Sequence, residues 1–494
     1  MLTTSPRRTD GKSPGSLPTP HELAALTGDR DRVIDLIRIC SLLVVVAGHS
    51  IMLTVDTSDG AIRLGNTLGD VPILQPATWL LQVLPLFFFA GAAASTRGWM
   101  SRGDATPAVG HWLFTRTQRL LRPLGWYLGA VLVVLTGLTT VGLGAAADVI
   151  ARLGVQLLWF LGAYLLVLAV VPLLQRIRTP QHLVVALGTC WGSTAVIDAI
   201  RLTDGPSWLA YLNFLTVWTI PAVLGVAYAK RILRPATAAA VSIVFLILDV
   251  GLVHWGPYEV SLVTVPGQQL SNMSPPSLLL AGHAIVLCAG AIAVRRVPAR
   301  IADRPRIWWW VVLGNRGAMT LYLWHLPVLA AIIVGGAVAG LDRADVHSAS
   351  FPVVVGVQTM LLLALMVPVV AMLSPLENRP LRWWDDPVAR RSGLVRDAVL
   401  LAVLVCLGVA VLMVSRYGLL GDGIGWLIAA IACAVVARCL AVRPARRERP
   451  EPLTGDDASL QVSASRRSTT LDGSHRRRRR STSSRFSAPE QPSA

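Results

Sequence analysis

The chain has 494 residues, a formal net charge of +17, 53% hydrophobic and only 15% charged residues, and a mean hydropathy of +0.57. Soluble domains carry about 25% charged residues, so this composition excludes an ordinary soluble enzyme. The positive surplus is not a nucleic-acid signature either, because its arginines sit in a tail and in short loops beside apolar runs, where they report membrane orientation.

In chain order, residues 1–32 form a polar leader, expected to be disordered and cytoplasmic, with no cleavable signal. Apolar runs of about 20 residues suit a hydrocarbon core. They fall near 33–53, 76–96, 121–142, 146–171, 183–199, 209–229, 237–254, 277–295, 309–334, 353–373, 397–415 and 423–442. The expected fold is therefore all-α, a polytopic transmembrane helix bundle of about 12 spans. The loops on one side are rich in Lys and Arg and those on the other hold single arginines, which predicts that both termini are cytoplasmic in a plasma-membrane protein. From Arg443 onward twelve arginines face six acids. This tail, 443–494, reads as disordered and basic, and its "HRRRRR" run (475–480) suits anionic lipid. Six cysteines lie in apolar segments with no CxxC pair, as small buried hydrophobes do. No histidine spacing suggests a metal site.

The first span, "DLIRICSLLVVVAGHSIML" (35–53), carries Asp35, Arg38 and His49, although ionisable groups are costly in a bilayer. Eleven steps of 100° bring His49 to within about 20° of the face of Arg38, roughly 16 Å further along the axis. A cation at the entrance and an imidazole deep on one face suit an elongated anionic donor. Asp35, one turn before Arg38, is expected to position that arginine as its i,i+3 partner.

At these residues the chain resembles the membrane acyltransferase 3 family, whose hallmark is a basic residue, ten residues, then His. Further similar segments follow in order: "LPLFFFAGAAAS" (84–95), "RTQRLLRP" (116–123), "LWFLGAYL" (158–165), "YEVSLVTVPGQQLSNMSPP" (258–276) and "NRGAMTLYLWHLP" (315–327), several of them like those of actinobacterial-type members. The resemblance runs from about 30 to 385. It implies a ten-span acyltransferase core, here 33–392, from which the chain is expected to depart in two ways: two additional helices, 393–442, and no fused extracytoplasmic esterase-like domain such as some members carry. It also implies transfer of an acyl group, often acetyl, from cytoplasmic acyl-CoA to a hydroxyl of an extracytoplasmic carbohydrate or glycolipid, with no tightly bound cofactor. His49 and Arg38 become the catalytic pair, His49 acting as general base or as transient acyl carrier. Arg119 and Arg122 fall on the donor side, with Arg116 as an alternative register. Guanidinium forks match phosphate oxygens.

Other candidates rest on position. Ser274 is expected to cap a helix beginning at Pro275. Tyr258 and Asn272 are candidate carbohydrate contacts, and His325 lies at a depth like that of His49, able to bond the acceptor or another helix. Glu377 is expected to pair with Arg379 or anchor its span. The alternative function is a transporter or flippase for a lipid-linked sugar, which twelve spans and intramembrane charges also suit.

Overall fold

The computed structural model describes residues 18–56, 63–101, 109–203, 205–268, 270–338, 346, 348–386, 388 and 393–441. The basic tail lies outside these residues. In chain order the helices are α1 (Pro20–Leu26), α2 (Arg32–Met52), α3 (Thr67–Asp70), α4 (Thr78–Leu81), α5 (Leu84–Met100), α6 (Val109–Thr140), α7 (Gly144–Gln156), α8 (Leu158–Leu174), α9 (Pro180–Leu202) and α10 (Asn213–Ala229). There follow α11 (Pro235–Trp255), α12 (Leu278–Ala293), α13 (Arg296–Ala302), α14 (Pro305–Arg316), α15 (Ala318–Val338), α16 (Phe351–Glu377), α17 (Arg382–Asp385), α18 (Leu394–Tyr417) and α19 (Gly423–Ala441). Among the described residues ten helical stretches are long and apolar enough to cross a membrane, or twelve if the bent pairs α12–α13 (63°) and α14–α15 (70°) each count as one span.

The helices start where local chemistry starts them. Asp31 caps α2 by accepting from the amides of Val33 and Ile34. Helix α10, apolar all round, is buried along its whole length, as such a helix must be. Helix α11 turns Ile243, Ile247 and Val250 outward, a lipid-suited face. Where helices meet closely the contact residues are small, the usual basis of packing in lipid. Gly162 of α8 and Gly408 of α18 bring the backbones together, so that a Cβ on Gly162 would sit 2.8 Å from both the Gly408 carbonyl oxygen and the Leu412 amide.

Three expectations change. The leader carries structure at its end: α1 has a capping box of Thr19 and Glu22, and the segment docks on α14, Trp308 Nε1 donating to Thr27 and Trp309 Nε1 to the Pro18 carbonyl. Helix α6 begins at Val109, not near 121. Its 32 residues span about 48 Å against a hydrocarbon core of about 30 Å, so the arginine cluster lies well inside the helix rather than at its entry. Finally, an antiparallel hairpin of β1 (Leu53–Asp56) and β2 (Arg63–Asn66) follows α2, a small departure from an all-α chain.

Candidate functional site

A cavity of about 410 Å³ lies along the later half of α2, from Ser41 to Met52. Phe87 of α5, Trp159 and Phe160 of α8, and Tyr322 of α15 wall it, and Val263, Thr264 and Met273 close its far end. His49 belongs to the wall, and among the described residues no Asp, Glu, Lys or Arg does. The closing loop is tied to α4 and its neighbour. Trp79 Nε1 donates to the Val260 carbonyl at 2.8 Å, the Leu262 amide to Thr78 Oγ1 at 3.0 Å, and Gln82 Nε2 to the Leu262 carbonyl at 3.2 Å.

Within this frame His49 Nδ1 stands 3.0 Å from Nε2 of His325, with the rings stacked at 5.2 Å between centroids. His325 is fully buried. Its Nδ1 faces two backbone carbonyls, of Leu321 at 3.1 Å and Tyr322 at 2.9 Å. Carbonyls only accept, so this nitrogen carries the proton, and in the neutral ring Nε2 presents a lone pair. His49 must then donate from Nδ1. Its own Nε2 is left as a lone pair at the wall of the cavity.

Neighbouring contacts hold both rings. Gln358 and Thr359 of α16 reach the Ser50 hydroxyl at 3.1 and 3.0 Å, fixing α2 beside His49. Glu377, 3% exposed, accepts from Thr320 at 2.5 Å and Trp324 at 2.8 Å, one on each side of the turn before His325. This replaces the expected pairing with Arg379. A carboxylate buried at the helix end is better matched by two neutral donors than by an exposed guanidinium.

Arg38 is not among the residues that line the cavity, but its guanidinium lies over the ring of the wall residue Phe87 at 5.4 Å. Its Nε is buried without a hydrogen-bond partner. The expected pairing with Asp35 does not form: Asp35 takes Arg30 at 2.7 Å instead. An i,i+3 pair is worth only about 0.2–0.5 kcal/mol, too little to draw Arg38 off the aromatic face. The cation is left uncompensated.

The three arginines of α6 do not converge. Arg116 packs over Trp112 at 4.0 Å, Arg119 is exposed, and Arg122 pairs with Asp385 at 3.1 Å. None lines the His49 cavity. Arg122 instead borders an apolar cleft of about 1020 Å³ among α6, α8, α18 and α19.

The loop residues take structural places. Ser274 caps nothing: α12 starts at Leu278, and Ser277 accepts from the Leu280 amide. Pro276 works in the direction of the shift, because a residue before proline is disfavoured in the helical region. Tyr258 is buried and donates to Asp198 at 3.1 Å. Asn272 is fully buried, giving its amide hydrogens to the carbonyls of Glu259 and Ser261 and accepting from Ser277. Neither faces the cavity, so both are corrected from acceptor contacts to loop-holding residues. Among the described residues no group of three or more His, Cys, Asp or Glu side chains could hold a metal.

The model of a known family, described as an acyltransferase domain, matches residues 31–375, about seven-tenths of the chain. The chain belongs to the acyltransferase 3 family. The matched span contains His49 and His325, with Ser50, Gln358 and Thr359, while Glu377 falls just past its end. The class is an integral-membrane acyltransferase. No curated protein and no solved structure matches. Asp198, which accepts from Tyr258, Asn213 and the Leu278 amide, was missed in the sequence, although an acid inside an apolar segment is itself a signal. Ser50 and Gln358 gave no such signal.

Proposed function

We propose that this acyltransferase moves an acyl group, most simply acetyl, from acyl-CoA entering at the Arg38 end to a hydroxyl of a carbohydrate or glycolipid acceptor at the His49 end. In this reading both termini are cytoplasmic, the membrane is the plasma membrane and the acceptor is extracytoplasmic. The supporting observation is the histidine pair, which leaves one basic nitrogen on a ring that walls a cavity with no charged side chain among its described lining residues.

Arg38 would hold donor phosphate, its uncompensated cation answered by the ligand's charge. The elongated cavity then leads the thioester arm to His49. There Nε2 takes the proton of the acceptor hydroxyl as its oxygen attacks the thioester carbon. The C–O bond forms, the C–S bond breaks, and His49 returns the proton to the departing sulfur, giving free CoA thiol. His325 accepts from Nδ1–H throughout and stabilises the imidazolium formed in passing, acting as a positioning residue. Arg119 and Arg122 would help guide the donor, Arg122 only on exchange of its Asp385 partner. The fixed hydrogen-bond order around His49 favours an enzyme over a flippase, which needs no such directed lone pair.

His49→Ala should abolish transfer while membrane yield stays near normal. Mass spectrometry of envelope glycans and lipids, with and without the protein and with the variant, identifies the acceptor. Full acylation by a well-inserted His49→Ala protein would remove the catalytic assignment.

A further inference from the structure

Beside the His49 cavity lies a second space, of about 400 Å³, between α7 and the end of α18. Arg152 and Gln156 line one side, and Ser415, Arg416 and Tyr417 the other. Gln156 is also a wall residue of the His49 cavity, so the two spaces adjoin at that side chain. Among the described residues no acidic side chain lines the second space. Among the described residues neither Arg152 nor Arg416 has a carboxylate partner. Arg416 rests over the rings of Tyr211 at 5.4 Å and Tyr417 at 5.8 Å.

Arg152 and Arg416 are both exposed, so water and salt screen their mutual repulsion, and an oxyanion between them would reverse the sign of what remains. A guanidinium stacked on aromatic faces keeps its edge N–H groups free, in the fork that matches phosphate or carboxylate oxygens. The His49 cavity itself offers no counter-charge. We propose that Arg152 and Arg416 form a subsite for an oxyanionic group, phosphate or carboxylate, carried by the acceptor whose hydroxyl reaches His49 past Gln156. The proposal rests on reading the His49 cavity as the transfer site. It gives α18, which lies beyond the matched acyltransferase domain, a part in choosing the acceptor.

The test uses full-length protein in phosphatidylcholine nanodiscs, with glycerol phosphate as probe and glycerol as its neutral counterpart, read by ligand-observed NMR. Wild type should hold glycerol phosphate at least about tenfold more tightly than the Arg152→Gln/Arg416→Gln double variant, while glycerol shows no difference between them. Arg416→Lys should keep part of the affinity, which separates lost charge from a disturbed helix end. Phosphate held at other basic groups is common to both proteins and cancels in the comparison. Equal binding by wild type and double variant, or no binding by wild type, overturns the subsite. Adding phosphatidylglycerol to the disc distinguishes the source: displacement of the probe marks a lipid headgroup, no displacement a glycan-borne anion, and either outcome supports the site. Release of CoA thiol by wild type, abolished in His49→Ala, is measured alongside. Its absence would refute the transfer reading and leave the binding comparison standing.

Discussion

Replacing His325 with alanine removes the acceptor that His49 Nδ1–H points at from 3.0 Å. The loss has two parts. A neutral hydrogen bond is worth about 1 kcal/mol net, and a buried donor left unmatched costs about 1–3 kcal/mol. A water entering the vacated space recovers some of this, so about 1.5–3 kcal/mol should fall on the barrier. That corresponds to roughly ten- to 150-fold in kcat. KM for acyl-CoA should barely move, because Arg38 lies roughly 16 Å away along α2. His325→Gln, whose amide oxygen can accept from Nδ1–H, should retain more activity than His325→Ala. The assay is acyl-CoA turnover in nanodiscs per correctly inserted molecule, with histidine nitrogen NMR reporting which His49 nitrogen is protonated. A His325→Ala enzyme within about threefold of wild-type kcat, or a His49 ring protonated at Nε2 in the wild type, would refute the assigned relay.

Arg38→Ala should raise the acyl-CoA KM about ten- to a hundredfold, the value of one charge-assisted contact, and Arg38→Lys should keep part of it; unchanged donor affinity in both would count against a donor-binding role. Gly408→Leu should lower membrane yield and the melting temperature of the purified protein, because overpacking costs about 1–3 kcal/mol where α8 and α18 meet backbone to backbone; an unchanged melting temperature would mean that this crossing carries no stability. The sequence suggests that α18 and α19 are accessory. Since α8, which packs on α18, supplies Trp159 and Phe160 to the His49 cavity, a chain stopped after residue 392 should lose activity per inserted molecule as well as yield, and full specific activity would restore the accessory reading.

Much of the site was legible because helical geometry is local. Eleven residues at 100° each place Arg38 and His49 on one face before any fold is known. The partner of His49 was not legible in the same way. His325 lies 276 positions away, and no periodicity decides which two helices meet at one depth. The reading of Asp35 failed on a competition the sequence does not display: Arg30, just ahead of the helix, offered a closer cation while Phe87 took Arg38. Ser274 failed differently. The two prolines after it disfavour a helix start at Pro275, so Ser277 was the competing cap that the sequence already offered weight for. Tyr258 and Asn272 show how a polar residue in an outer loop can serve the loop's own hydrogen bonds rather than a ligand.

The loop over the His49 cavity behaves as masonry. Trp79, Thr78 and Gln82 bolt it to the rim at residues 260 and 262, and Asn272 ties its two ends together from inside. Many enzymes that shelter a reaction from water do so by closing a lid, and the lid's motion then sets the pace of turnover. A vaulted ceiling works by other means. Under the proposed transfer it would admit whatever fits the doorway, so discrimination would rest on the shape and charge of a standing aperture, and acceptors differing at the end remote from the reacting hydroxyl would be sorted before they reach the histidines.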